Sequence, residues 1–161
     1  MIILALLSEC KKRRPHIIAE VVNSDNSQHL RDAGADETIC TTEIGVGILA
    51  HCAVNKQLSV VYKALLTYSF EGNEIYIIPQ ESYPDSFVGK TFAECAQILY
   101  ANRDRTNPVI LLGIRRQEQV IMNPRMGTPG TSDGEFRSEQ GDALIAMAFS
   151  APNLKTGLDT R

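Results

Sequence analysis

Positive charge is in short supply in this chain. Sixteen Lys and Arg face nineteen Asp and Glu, leaving a formal net charge of −3. A nucleic-acid binder gathers a basic excess on one face, so that class is set aside and no nucleic-acid partner is expected. The one basic run, Lys11-Lys12-Arg13-Arg14, has two readings. It is a solvated helix end, where cations suit the negative pole of the helix dipole, or a contact to phosphate or a membrane surface.

Long apolar runs are missing too. Ile2 to Leu7 and Ala143 to Phe149 fall far short of the roughly 20 residues that span a bilayer. The opening MIILALLSECKKRR places its basic residues after the apolar run, the reverse of a secretion signal, so none is expected. Cysteine is sparse, at positions 10, 40, 52 and 95. None form CxxC, and no histidine pair stands at ligand spacing, so no metal site is expected. His51 and Cys52 are adjacent, which on a helix points them about 100° apart. Free thiols in a reducing cytoplasm are the expected state. Catalytic signatures are also lacking: no Ser/His/Asp set, no paired-carboxylate motif, no P-loop. His16, His29 and His51 have no obvious partners, and the chain reads as a non-enzyme.

What is there is apolar material for a core. The 161 residues are 43% hydrophobic, enough for one globular domain or two small lobes that bury roughly 70% of the unfolded surface. Pro15 ends whatever helix precedes it. His16 to Val22 is a β-rich run of the buried parallel type. Asn23 to Asn26 offer N-caps for a helix through Gln28, Leu30 and Arg31, which Gly34 closes in the left-handed conformation. Thr38-Ile39-Cys40 reads as a second strand. Thr41 or Thr42 then caps an amphipathic helix over Glu43 to Val54, with Ile44, Ile48, Leu49 and Cys52 at helical spacing. Another helix runs from about Ser59 to Tyr68. Strand, helix, strand, helix argues for a parallel α/β sheet.

After Phe70 the pattern changes. Glu74 to Ile78 is a short strand closed by Pro79, and a polar loop passes through Tyr83-Pro84-Asp85. Thr91 to Ala101 is helical, with Phe92, Cys95, Ala96 and Leu99 on one side. Val109 to Arg115 and Gln119 to Met122 are strands joined by a turn. Met126 to Gly141 is a Gly-, Ser- and Pro-bearing loop, long and expected to be disordered, and Ala143 to Phe149 is the last strand. This second part is α+β.

Two motifs have alternative readings. Gly45 to Ala50 matches GxGxxA, which in a dinucleotide site stands in the tight turn straight after a strand. Here it falls inside an amphipathic helix, where small residues permit close packing. Glu20 sits among apolar residues towards the carboxyl end of a parallel strand, where α/β proteins place ligands. Its other reading is a strand-edge carboxylate satisfied by backbone amides.

Ile17-Ile18-Ala19-Glu20-Val21, followed by Leu30-Arg31-Asp32-Ala33-Gly34-Ala35-Asp36, resembles the second half of an RCK (TrkA-type) N-terminal domain. Glu43-Ile44-Gly45 and Leu49-Ala50 resemble that family's crossover helix. Val88-Gly89-Lys90-Thr91-Phe92, Val109 to Gly113, Ile121-Met122-Asn123-Pro124 and Gly141-Asp142-Ala143-Leu144 resemble the RCK C-terminal lobe. From Asn73 onward the chain is also similar to the cytosolic domains of CASTOR/POLLUX-like ion channels.

The resemblance implies an α/β fold class. The C-terminal half of a Rossmann-like parallel sheet with crossover helices would occupy residues 1–70, and a small α+β lobe residues 71–161. The strand and GxGxxG turn that open a complete Rossmann lobe do not precede Met1, so the sequence is expected to be a fragment of a longer open reading frame.

The implied function is a cytosolic, ligand-sensing gating-ring domain at the cytoplasmic face of a potassium channel. Its partners would be further copies, as a homodimer or larger ring through the crossover helices, and a membrane pore domain. Ile44, Ile48, Leu49, Cys52, Val61 and Leu65 are the implied dimer contacts, a core role being the alternative. Full-length relatives bind NAD(H), adenine nucleotides or calcium, but none is expected here. Glu20 matches a calcium-binding glutamate whose companion carboxylate is replaced by Val22, and a hard cation wants six to eight oxygens. Arg115, Asn123 and Pro124 match a cyclic-dinucleotide pocket, where an Arg fork suits a phosphate; a plain turn is the other reading of Asn123-Pro124. Two rival functions remain: the soluble gating subunit of a potassium-uptake transporter, and a fragment of a dinucleotide-dependent oxidoreductase.

Overall fold

In the computed structural model, residues 14–67, 69, 72–102, 104–125 and 136–155 are described. The Ile2–Leu7 run, most of the basic run, Tyr68 and the 126–135 stretch of the long loop lie outside them. The chain divides into two compact units, Met1–Lys63 and Ala64–Arg161, where the sequence reading places a boundary near 70.

The described elements of the first unit start with β1 (Ile18–Val21), then a 3₁₀ turn at Ser24–Asn26 and α1 (Ser27–Asp32). Asn23 starts the turn, its side chain accepting from the Asp25 amide at 3.0 Å. Gly34 ends the helical segment with φ of 102°, a conformation in which a Cβ would be strained. The chain then enters β2 (Glu37–Cys40), parallel to β1 with Ile18 opposite Glu37 and Val21 opposite Cys40. Asp36 fastens the start of the pair, accepting from the Ile17 amide and the Arg14 guanidinium, each at 2.8 Å. The buried apolar residues here are Ile17, Val21 and Ala35, while Ile18, Val22 and Ile39 stay exposed.

Two helices follow, α2 (Thr41–Val54) and α3 (Leu58–Leu66), and neither contains a buried residue. The sequence predicts an amphipathic α2; the structure corrects this, since its apolar residues do not gather on one face and Ile44, Val46, Leu49 and Val54 are exposed around the helix. Gly45 and Gly47 lie inside α2, beyond any strand-to-helix turn, so GxGxxA is not placed as a phosphate-binding loop. A Cβ at either would meet nothing within 4 Å.

The second unit is an antiparallel sheet in the order β3-β6-β4-β5, backed on one face by α4 (Phe92–Ala101). Its strands are β3 (Glu74–Ile78), β4 (Ile110–Arg116), β5 (Gln119–Met122) and β6 (Ala143–Ala148). The molecule is therefore mixed α/β, with one parallel and one antiparallel sheet. Thr91 caps α4 through a reciprocal box with Glu94: the Thr91 amide donates to the carboxylate at 2.7 Å, and the Glu94 amide to the Thr91 hydroxyl at 3.2 Å. Cys95 and Leu99 then face Ile78, Leu111, Ile114, Ile121 and Leu144 in one core.

Residues of two segments expected to be polar or disordered belong to that core. Tyr83, just after a 3₁₀ turn at Gln80–Ser82, and Phe87, the last residue of another at Asp85–Phe87, are fully buried. Phe136 and Ser138, from the end of the long loop, are buried beside them. The loop is held by a bridge between Thr91 and Arg137 and by the Ser138 hydroxyl, which donates to the Phe87 carbonyl.

Gly113 sits where β4 shifts register against β6, between Leu111 and Gly113. A Cβ there would stand 2.4 Å from the Ile121 carbonyl oxygen and 3.0 Å from the Met122 Cα. Both are backbone atoms of the paired strand and have no rotamer to escape into. Gly113→Ala is expected to lower stability by about 1–3 kcal/mol, read from the urea midpoint; an unchanged midpoint would show that β5 yields freely.

Candidate functional site

Glu20 is the last residue but one of β1, near where β1 and β2 finish side by side. Its Oε1 accepts from the Thr41 hydroxyl at 2.8 Å. A side chain at the start of α2 thus partners the carboxylate, where the strand-edge reading names backbone amides, and Cys40 occupies the cap position without a side-chain capping hydrogen bond. The Cys40 thiol donates weakly to the Val22 carbonyl at 3.6 Å. Glu20 is exposed, and no group of three or more His, Cys, Asp or Glu that could hold a metal occurs among the described residues.

The expected pocket residues of the second unit occupy two ends of one strand pair. Arg115 is exposed on β4, opposite Val120. Asn123 follows β5 in a left-handed conformation, φ 41°, and its amide donates to the Leu112 carbonyl at 2.8 Å. Three strand residues separate the two levels, roughly 10 Å at about 3.3 Å per residue. Pro124 continues from Asn123, half-buried.

Arg116, one residue on, carries the network that sequence reasoning missed. Its guanidinium donates to both oxygens of Asp142, at 2.9 and 2.8 Å, to Glu139 at 2.7 Å and to the Arg137 carbonyl at 2.8 Å. It also lies 4.9 Å from the Phe136 ring centroid. Asp142, only 1% exposed, further accepts from the Glu139 amide at 2.8 Å. These hydrogen bonds raise the Arg116 pKa further above its ordinary value. Tyr83 completes the cluster by donating to the Asp142 carbonyl at 2.6 Å. Burial, with Asp142 nearby, pushes the Tyr83 phenol up to about 12. Every member is committed to another, which suits a structural lock more than a reaction. A signal existed in the alternation: Ile114 faces the core, so Arg116 turns inward with it and Arg115 does not.

None of the six implied dimer contacts is fully buried. Ile44, Leu49, Val61 and Leu65 are exposed, Leu49 by 70%, and Ile48 and Cys52 are half-buried. Across the two helices, His51 Nδ1 and the Tyr62 hydroxyl lie 2.6 Å apart, with the rings stacked at 6.3 Å between centroids.

No protein-family model and no curated protein matches the chain. Among solved structures it is similar to the GsuK channel bound to NAD at 18% identity, with a TM-score of 0.41 over 99% of this chain. It is likewise similar to the GsuK RCK domain at 19% identity, with a TM-score of 0.38 over 90%, and to the GsuK channel at 18%, with a TM-score of 0.36 over 98%. The chain spans about a quarter of the length of each. Likeness at this level decides nothing about function. Among the described residues no helix is long and apolar enough to cross a membrane.

Proposed function

We propose that this chain is a regulatory domain of the RCK type, sensing a ligand at the cytoplasmic face of a potassium channel and acting as a homodimer or larger ring. The observation that carries the reading is the uncovered α2–α3 hairpin. It has no buried residue in either helix, and Ile44, Leu49, Val61 and Leu65, which the resemblance implies as crossover contacts, are exposed. Contiguous exposed apolar surface of this kind marks interaction sites. The first unit adds support. Among the described residues its two-stranded parallel sheet has three buried apolar side chains, and parallel sheets are ordinarily covered on both faces. Under this reading a ligand acts only through its differential affinity for two arrangements of the assembly.

The test combines light scattering with a thermal-shift screen. Val61→Glu places a charge on α3 at a half-exposed position, and it is expected to lower the assembled mass at least twofold without loss of helicity. An unchanged mass overturns the hairpin reading. Calcium, NAD(H), ADP, ATP and cyclic dinucleotides are screened in parallel, since a ligand at 100 times its Kd stabilises by about 2.7 kcal/mol. The sensing reading expects one of them to raise the Tm, and no response from any overturns it.

A further inference from the structure

The two units differ in how much of themselves they shut away from water. Among the described residues, the second packs twelve buried residues into one core, with Tyr83, Phe87 and Phe136 among them. The first buries Ile17, Val21 and Ala35, and no residue of α1, α2 or α3. Its sheet is a single parallel pair, against four antiparallel strands backed by α4 in the second. A strand pair is marginal in water, whereas three or more strands packed on a helix hold independently.

The polar ties and the backbone point the same way. In the first unit the Arg14–Asp36 and His16–Glu37 pairs lie at the surface, where an ion pair adds little. In the second, buried Tyr83 and Asp142 are held by each other and by Arg116, and a bond lost there strands a group away from water. The interior of α2 also carries Gly45 and Gly47. Each weakens the helix relative to alanine and adds freedom to the opened chain.

We propose that the first unit opens and closes as a body of its own while the second stays folded, which makes residues 14–63 an order–disorder element. Moving parts in regulation are drawn from the low-stability end of a structure, and the ordering of a segment is a recurrent form of switch. Anything that binds only the closed first unit draws the balance towards it by mass action. The response is then local. Order in the first unit rises with occupancy, and the sheet of the second keeps its fold throughout.

The inference does not rest on the hairpin reading, because the two units are compared within one full-length chain whatever its assembled mass. Amide exchange in urea below the main unfolding transition is expected to run about tenfold or more faster in β1 and β2 than in β6. A smaller gap overturns the proposal. Combining Gly45→Ala with Gly47→Ala gives a stabilising variant, since a Cβ at either position meets nothing within 4 Å. It is expected to slow exchange in β1 and β2 about tenfold and to leave β6 at the parent rate. Equal slowing in both units would mean a single cooperative body and overturns the proposal, as does exchange in β1 and β2 that ignores the two alanines.

Discussion

Truncating Arg116 to alanine is expected to destabilise the second unit by about 3–5 kcal/mol, because it strands a buried carboxylate. Asp142 is 1% exposed and receives two of its three side-chain hydrogen bonds from that guanidinium. With Arg116 gone, one backbone amide is left to solvate a charge shut away from water. The reciprocal change is milder. Asp142→Ala leaves a guanidinium that is 20% exposed and still near Glu139, so about 1–2 kcal/mol separates the pair in its favour. Urea unfolding followed by circular dichroism measures both. Equal costs would show that the energy lies in the packing of Arg116 on Phe136 and not in the charge left behind.

Phe87→Ala is expected to cost about 3–5 kcal/mol, the range for an aromatic removed from a closed core. Phe87 is fully buried, its ring 5.7 Å from that of Tyr83. Its carbonyl accepts from Ser138 and from the Cys95 thiol, so it joins the 80–88 turns, the 136–142 strap and α4. Leucine at the same position fills most of the volume and should recover more than half of the loss. A Phe87→Ala protein whose urea midpoint matches the parent would mean that these turns lie on the core without supporting it.

The contrast between these two sites and the rest of the chain shows what the sequence exposes. β3 and β5 were readable to the residue, since Glu74–Ile78 is closed by Pro79 and Gln119–Met122 is isolated by turns. α4 announces itself by Thr91 and Glu94 at capping-box spacing and by apolar residues at Cys95 and Leu99. Gly34 declares its left-handed turn. These are local signals, carried within one turn or one strand.

Tyr83, Phe87 and Phe136 give no such signal. Each is a lone aromatic among polar and Pro-rich neighbours, without period 2 or 3.6, and its burial is decided by the sheet it folds onto. The Arg116–Asp142 pair spans 26 residues, a separation that no spacing rule connects. For the candidate site, parity matters: stepping from Arg115 to Arg116 moves the side chain to the other face of β4. Position alone put Glu20 at the carboxyl end of β1; its bond to Thr41 needed the first turn of α2 in place. The spacing of Ile44, Ile48, Leu49 and Cys52 suggested one apolar face on α2, but Val46 and Val54 lie off that face and are exposed too.

Between Val54 and Leu58 only three residues connect α2 to α3, and Gln57 among them is held at φ 68°. Asn55 is tied back to the His51 carbonyl, and His51 itself is clasped to Tyr62 across the bend. So short and so fastened a corner has no slack. Opening the angle between the helices would have to break the His51–Tyr62 contact and both Asn55 bonds to the His51 carbonyl, so the corner is braced from three sides.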